Sequence, residues 1–209
     1  MSIARRRRLT MFRNRRHHTV SGTRPHKALS GLYTIDPVHS MIGFSVRHAM
    51  ISNVRGKFDA FEGLLRLDGA RTNLSEAYVS VQTGSLVTGI QDRDAHLTGP
   101  DFFDSSTYPL MTFRSIESVP VGDEEFRLSG NLRVKDVELP ISIDLAFGGA
   151  GRDSLGKNRV GFEGTAALRR SDWGLDRNAG LEAGGVPVSD KVQLILDISA
   201  VQLTQPAAA

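Results

Sequence analysis

The densest group of side chains that could carry chemistry lies in residues 91–113, QDRDAHLTGPDFFDSSTYPLMTF. Four ionisable residues stand close together near its start: Asp92, Arg93, Asp94 and His96. Two carboxylates, a guanidinium and an imidazole within five positions have the composition of a chemical centre. The same side chains also cap and fix short helices. We favour the helix interpretation, because the segments on both sides alternate like the strands of a sheet.

The second half of this stretch reads as a corner of the fold. Gly99 and Pro100 end the helix that the charged residues begin, since glycine accepts a left-handed exit and proline cannot continue the turn. Phe102 and Phe103 then require apolar surface to cover, and Pro109 opens a new strand-like run. The stretch therefore predicts a helical cap at one end of a sheet structure.

Three histidines raise the alternative of a metal site or an enzyme at the mouth of the fold. His39, His48 and His96 could bind zinc together, but they lie nine and then 48 residues apart and no spacing motif joins them. A nucleophile with its base, built from Asp36, His39 and Ser40, fails because adjacent strand positions point to opposite faces. We predict no catalytic residue, no metal ligand and a function without catalysis.

Composition narrows the class of protein further. The chain has 209 residues, 40% of them apolar, and no cysteine, which excludes disulfides and thiolate metal sites. No apolar run reaches the roughly 18 residues of a membrane-spanning helix. These features fit one soluble domain with an added tail.

The basic residues are concentrated at the amino terminus. Residues 1–27 contain nine arginines and lysines and no acid, so 17 basic and 23 acidic residues remain in the body, a net charge of about −6. We expect residues 1–30 to form a disordered tail. Arg7 and Arg8 resemble the start of a twin-arginine signal, but no apolar segment follows, so we expect a cytoplasmic protein. Tail binding to nucleic acid or to an anionic membrane is an alternative function.

The body alternates apolar and polar residues with a period of two. Eight such runs and a short first strand predict an all-β, eight-stranded antiparallel barrel over residues 31–203, followed by a flexible C-terminal tail at 204–209. Phe58 and Phe61 break the alternation, which predicts a bulge at Asp59 or Ala60.

The inward face of these runs predicts an apolar lumen. Its residues are Ile42, Phe44, Val46, His48, Phe58, Phe61, Val79, Val81, Met111, Phe113, Phe126, Leu128, Ile143, Leu145, Phe162, Leu194 and Leu196. Ala77, Gly130, Gly164 and Ala166 share the face and are expected to leave room for a ligand. The alternative is a barrel that large side chains fill completely.

Four blocks of the sequence resemble a known family. YTIDPVHSMIGFSVRHAMISNVRGKF, RDAHLTGPDFFDSSTYPLMTF, RSDWGLD and VSDKVQLILDISAV are similar, in order and spacing, to the YceI-like family of polyisoprenoid-binding proteins. The resemblance runs from about Leu32 to Val201. It implies a lipocalin-like barrel with a small helical cap, whose lumen holds a long isoprenoid, a quinone or a comparable amphiphilic lipid.

Several further expectations accompany this interpretation. The candidates for the cap and for contacts to a ligand head group are His39, Arg93, His96, Phe102, Phe103 and Trp173. We expect Trp173, the single tryptophan, to plug a barrel end, with ligand contact as the alternative. We also expect no cofactor other than a bound lipid, and a homodimer is an open alternative to the monomer.

Overall fold

The fold is described from a computed structural model, which covers residues 26–48, 51–176 and 188–203. Within these ranges the chain forms mainly strands. They are β1 (Gly31–Ile35), β2 (Met41–His48), β3 (Ser52–Phe58), β4 (Phe61–Leu67), β5 (Glu76–Gln82), β6 (Leu86–Val87), β7 (Leu110–Pro120), β8 (Glu125–Val134), β9 (Val137–Arg152), β10 (Asn158–Arg169) and β11 (Val188–Gln202). One α-helix, α1 (Gln91–Thr98), and 3₁₀ helices at His26–Leu29, Pro37–His39, Thr72–Leu74, Thr83–Ser85 and Arg170–Trp173 complete these elements.

The eleven strand segments form eight long staves. β1 and β2 both pair with β11, at its end and at its beginning, so they make one stave with a break at residues 36–40. β3 with β4, and β5 with β6, form the next two staves in the same way. β7 to β11 follow in chain order, and the pairing of β1 with β11 closes the ring. The predicted eight-stranded antiparallel barrel is confirmed.

The predicted bulge lies between β3 and β4. Phe58 and Phe61 are both buried, although a regular strand would place them on opposite faces. The two residues between them leave the ladder, and the amides of Asp59 and Ala60 donate to the main-chain oxygen and to Oγ of Ser85 at 3.0 Å each. The bulge thereby directs both phenylalanine rings inward.

The two ends of the barrel differ. Because the staves alternate in direction, the helix α1, the β8–β9 turn and the Arg170–Trp173 turn lie together at one end, the capped end. The β4–β5 connection and the β7–β8 and β9–β10 hairpins lie together at the other, the open end. No helix in the described ranges is long and apolar enough to cross a bilayer.

The structured body begins earlier than the sequence suggested. Residues 26–30 were assigned to the tail, but His26–Leu29 forms a 3₁₀ helix at the open end. The main-chain oxygen of Leu29 accepts a hydrogen bond from the buried Tyr33 hydroxyl at 3.1 Å. Residues 1–25 and 204–209, and the tail predictions made for them, lie outside the described residues.

An ion-pair cluster fixes the break between β1 and β2. Arg159 of β10 donates from Nη1 to Asp36 Oδ2 at 2.6 Å and from Nε to Asp153 Oδ2 at 2.9 Å. His39 Nδ1 lies 2.8 Å from the same oxygen of Asp36. The hydrogen bonds from Arg159 and His39 lower the pKa of Asp36 to about 2. Ser40 stabilises the same break, because its Oγ donates to the main-chain oxygen of Ser199 at 3.1 Å and accepts from the Ser199 amide at 2.9 Å. Asp36, His39 and Ser40, which the sequence analysis rejected as a catalytic arrangement, therefore have structural roles.

We expect the Asp36→Asn variant to be less stable than the wild type at neutral pH by about 1–2 kcal/mol. The pKa of Asp36 is depressed from 3.8 to about 2 on folding. Its contribution is therefore complete above pH 3.8 and is lost as the pH falls through about 2. Urea unfolding of both proteins between pH 7 and pH 2 measures the difference, which should shrink across this window.

Asp144→Asn is the matched control for this prediction. Asp144 pairs with Arg127 at 2.9 Å on the surface, where its side chain is 65% exposed. Exposed pairs of this kind contribute little. An equal loss of stability in both variants would contradict the special role of Asp36.

Candidate ligand-binding cavity

A continuous cavity runs through the barrel from its middle to the open end. Thirteen of the seventeen predicted lumen residues line it: Ile42, Phe58, Val79, Val81, Met111, Phe113, Phe126, Leu128, Ile143, Leu145, Phe162, Leu194 and Leu196. The centre of a water-sized sphere can move through about 180 Å³, whereas one water needs roughly 10–15 Å³ on this measure. The large side chains therefore leave the barrel partly hollow.

Four residues predicted for the lumen do not line the cavity. Phe44, Val46 and His48 lie beyond Ile42 towards the capped end, where the barrel is packed. Phe61 is buried in the hydrophobic core at the bulge. The alternation of the sequence identified their strands but carried no information on how far along the barrel the cavity extends.

The cavity wall also contains residues that the lumen prediction omitted. Those on the strands follow the same period of two and could have been found from it: Ile35, Leu65, Ala77, Leu132, Ile141, Phe147 and Ile198. Those at the rim come from turns and short segments that have no such period: Leu29, Leu67, Asp68, Gly69, Thr72, Ser75 and Glu76. Thr112 and Ser118 also line the cavity.

The small inward residues do not provide the room expected of them. A Cβ on Gly164 would lie 2.6 Å from Cδ2 of Leu145, and one on Gly130 would lie 2.3 Å from the main-chain oxygen of Arg114. Neighbouring strands and side chains already occupy these spaces. Ala166 is buried and does not line the cavity, while Ala77 does. The glycines allow close packing of the wall, and the hollow lies elsewhere.

Polar groups of the wall are concentrated at the rim, where they bond one another. The amide of Asp68 donates to Ser75 Oγ at 3.0 Å, and Arg71 Nη2 lies 3.1 Å from Asp68 Oδ2. Arg66 donates from Nε to Glu76 Oε2 at 3.2 Å. Hydrogen bonds from the Arg71 amide and from the Arg66 guanidinium lower the pKa values of Asp68 and Glu76 respectively. Asp68 and Glu76 at the rim are therefore ionised at neutral pH, whereas the residues that line the interior carry no ionisable side chain.

The capped end is closed by aromatic side chains. Trp173 is 5% exposed and donates from Nε1 to the main-chain oxygen of Leu132 at 3.2 Å. Phe103 is buried, and its ring meets that of Phe58 edge to face at 5.9 Å. Trp173 is therefore packed into the capped end of the barrel, and it does not line the cavity.

Arg93, Asp94 and His96 form hydrogen bonds at the two ends of α1. Arg93 donates from Nε to Thr88 Oγ1 at 2.7 Å and from Nη2 to its main-chain oxygen at 3.0 Å. Asp94 accepts from the Thr88 amide at 2.9 Å. His96 contributes its main-chain oxygen, which accepts from the Gly99 amide at 3.2 Å. These contacts fix the entrance and exit of α1.

Five of the six head-group candidates are distant from the cavity opening. Arg93, His96, Phe102, Phe103 and Trp173 belong to the capped end, and the side chain of His39 is 63% exposed beside Asp36. None of them lines the cavity. Within the described ranges, no group of three or more His, Asp or Glu side chains could hold a metal ion.

The chemistry available to this site is therefore that of an apolar container. Its depth offers aliphatic and aromatic surface, and its rim offers ionised groups that are already paired. Such a site gains free energy by removing an apolar chain from water, at roughly 0.8 kcal/mol for each buried methylene. The fold and the cavity together define a lipocalin-like binding barrel.

Comparison with known sequences assigns the family. The profile of the YceI-like domain matches residues 33–200. A UPF0312 protein of Vibrio cholerae is 37% identical over 153 residues, which cover 72% of this chain and 81% of the relative. A UPF0312 protein of Azotobacter vinelandii is 31% identical over 178 residues, which cover 84% of this chain and 90% of the relative. The chain belongs to the YceI-like family.

Solved structures have the same fold. The YCEI protein of Campylobacter jejuni is 28% identical and superposes with a TM-score of 0.65, covering 76% of this chain and 90% of its own. BcnA of Burkholderia cenocepacia gives a TM-score of 0.70 at 21% identity, with 79% and 98% covered. A polyisoprenoid binding domain from Saccharophagus degradans gives 0.62 at 20% identity, with 82% and 98% covered.

Proposed function

We propose that this protein binds and carries, or sequesters, a single amphiphilic lipid with an isoprenoid or quinone-type chain. The observation that carries the proposal is a barrel cavity with an apolar interior and polar groups confined mainly to its rim. Such a cavity fits a lipid whose chain lies inside and whose head group stays at the open end. The named ligand of the Saccharophagus degradans domain, which shares the fold, agrees with this choice.

The same cavity favours a function without catalysis. Away from its rim, the cavity is lined mainly by aliphatic and aromatic residues, together with Thr112 and Ser118. No hydrogen bond in the described ranges joins the hydroxyl group of Thr112 or Ser118 to an imidazole or carboxylate that would activate it as a nucleophile. The opposing hypothesis, an enzyme or metal protein that uses His39, His48 or His96, predicts stoichiometric metal by elemental analysis.

Extraction of the purified protein tests the proposal. Organic solvent should release about one equivalent of a lipid with an isoprenoid chain, which mass spectrometry identifies, or the lipid-free protein should bind added isoprenoid quinone. The expected gain for a chain of ten buried methylenes is large, about 8 kcal/mol before the costs of association. A protein that repeatedly yields no lipid and binds no added quinone would contradict the proposal.

A second feature connects the basic segment with lipid delivery. The body begins at the rim, where Leu29 lines the cavity, so the nine basic residues before Ala28 join the barrel beside its opening. We propose that they attract this end to an anionic membrane surface, with about 1 kcal/mol for each basic residue near the surface. The cytoplasmic location and the homodimer stay predictions.

Removal of residues 1–25 should weaken binding to vesicles that contain phosphatidylserine at least tenfold at low salt. Sedimentation with such vesicles, and with vesicles of phosphatidylcholine alone as the control, measures the effect. Equal sedimentation of the full and shortened chains would overturn the membrane role. Binding of the full chain to duplex DNA in preference to vesicles would favour nucleic acid in its place.

A further inference from the structure

On β2, β8, β9, β10 and β11 the cavity ends before the capped end of the barrel. On each of five strands, one inward residue lines the cavity and an inward residue nearer the cap does not. The pairs, lining residue first, are Ile42 and Phe44, Leu132 and Val134, Ile141 and Leu139, Phe162 and Ala166, and Leu194 and Val192. A level that is shared by separate strands is a floor across the barrel.

Phenylalanine rings form this floor. Phe58 lines the cavity, and its ring centroid lies 6.1 Å from that of Phe44 and 5.9 Å from that of Phe103. Phe102 meets Phe103 at 5.4 Å. Of these four residues, Phe58 lines the cavity and Phe44, Phe102 and Phe103 do not.

The cap holds the floor from behind. The amide of Phe103 donates to the main-chain oxygen of Leu97 at 3.0 Å, and Lys135 Nζ donates to that of Phe102 at 3.2 Å. Trp173 is anchored in the same region through its bond to Leu132. A ligand that pressed on Phe58 would therefore have to displace the packed corner 99–108, and we expect the floor to resist.

The distance from floor to rim limits the chain that fits. Ile141 lies near the floor and Phe147 near the rim of β9, six residues apart. At about 3.3 Å per residue and a strand tilt of about 40°, they span roughly 15 Å along the barrel axis. An extended carbon chain with single bonds of about 1.5 Å advances roughly 1.25 Å per bond, so about twelve chain atoms fit.

We propose that the Phe58 floor, supported by Phe44 and Phe103, sets the maximum length of the inserted lipid chain at about three isoprene units. The inference rests on the proposed function. It assigns the helical corner a part in specificity, because the corner positions Phe103 against Phe58. A longer isoprenoid would leave the rest of its chain outside the rim, where it gains no apolar contact from the barrel.

Prenyl alcohols of increasing length test this limit. The probe is N-phenyl-1-naphthylamine, a neutral fluorophore, which farnesol and its shorter and longer homologues displace from the lipid-free protein. For the wild type, affinity should rise at least tenfold from two to three isoprene units and change less than about twofold from three to four. Phe58→Ala should move the break, so that the four-unit alcohol binds about tenfold more tightly than the three-unit alcohol.

Two further variants make the result decisive. Phe103→Leu removes the aromatic ring that supports Phe58 from the capped side, with little loss of volume. This variant replaces Phe58→Ala in the test if circular dichroism shows that Phe58→Ala does not form the barrel. Phe147→Ala is the control at the rim, where its ring packs on that of Phe162 at 5.6 Å. It should weaken every alcohol and leave the break at three units.

The outcomes separate the floor from the proposed function. Wild-type affinity that continues to rise through four and five units, or a break that stays at three units in both floor variants, would overturn the floor while the lipid-binding function stands. Failure of the wild type to bind the fluorophore and every alcohol would overturn the proposed function itself, and the floor with it.

Discussion

Replacing Val79 with tryptophan should weaken binding of farnesol at least tenfold and leave the barrel folded. Val79 lies in the middle of β5, lines the cavity and is only partly buried, so the added ring has hollow space to enter. An indole there excludes the ligand from contacts worth about 0.8 kcal/mol for each methylene, and two lost methylenes already correspond to about a tenfold change. Displacement of N-phenyl-1-naphthylamine measures the affinity, and the melting temperature reports the fold.

Tyr78→Trp is the matched control for this variant. It introduces the same side chain on the neighbouring residue of the same strand, where Tyr78 is 45% exposed on the outside of the barrel. Binding should stay within about twofold of the wild type, because the outer face takes no part in the cavity. Equal losses in both variants would show that tryptophan acts through the fold, and unchanged binding in Val79→Trp would place the ligand outside the lumen.

Replacing Trp173 with alanine should cost about 3–5 kcal/mol of unfolding free energy. The side chain is 5% exposed, fills the capped end beside the floor and donates a hydrogen bond to Leu132. Its removal leaves a cavity in a packed region and removes the hydrogen bond to the main-chain oxygen of Leu132. Urea unfolding followed by far-ultraviolet circular dichroism gives the value, since the variant lacks the only tryptophan of the chain.

The conservative variant Trp173→Phe separates packing from hydrogen bonding. It keeps most of the apolar volume and loses the bond to Leu132, so we expect a cost of about 1 kcal/mol. If Trp173→Ala lost less than about 1 kcal/mol, the capped end would not be a stabilising plug. The floor would then lack its support.

The fold was largely predictable from the sequence, because each stave of the barrel has one face towards the interior and one towards solvent. β4 shows the principle, with Phe61, Gly63 and Leu65 buried and the residues between them exposed. Even the bulge could be found, since two phenylalanines three positions apart cannot both face inward on a regular strand. The split of the first stave at residues 36–40 was visible only as the turn signal of Asp36 and Pro37.

The cavity was predictable in its walls but not in its ends. Period-two alternation assigns Phe44 and Phe126 to the same inner surface, yet only Phe126 lines the hollow. Which level of a barrel is filled depends on side chains from other strands and from the cap, at large sequence separation. Rim residues such as Asp68 and Thr72 come from a connection without periodicity, so no local pattern marked them.

The charged stretch at residues 91–113, whose composition is that of a chemical centre, has a structural role in the described fold. Arg93 and Asp94 fix Thr88 before α1, and Phe103 stands behind the Phe58 floor. Its residues lie at the end opposite the opening, which the sequence could not show, because the distance of a turn from the cavity mouth depends on the closure of the whole barrel. Contacts to a head group are expected from the rim instead.

The location of a bound chain is the most direct test of a lumen that holds a lipid. A crystal of the protein with a dodecanol brominated on its terminal carbon would show the bromine by anomalous scattering. We predict one peak inside the barrel, close to the ring of Phe58, with the hydroxyl end at the rim beside Ser75. A peak on the outer surface or at the capped end near Trp173 would contradict the account. So would the absence of any peak in crystals grown with a saturating concentration of the ligand.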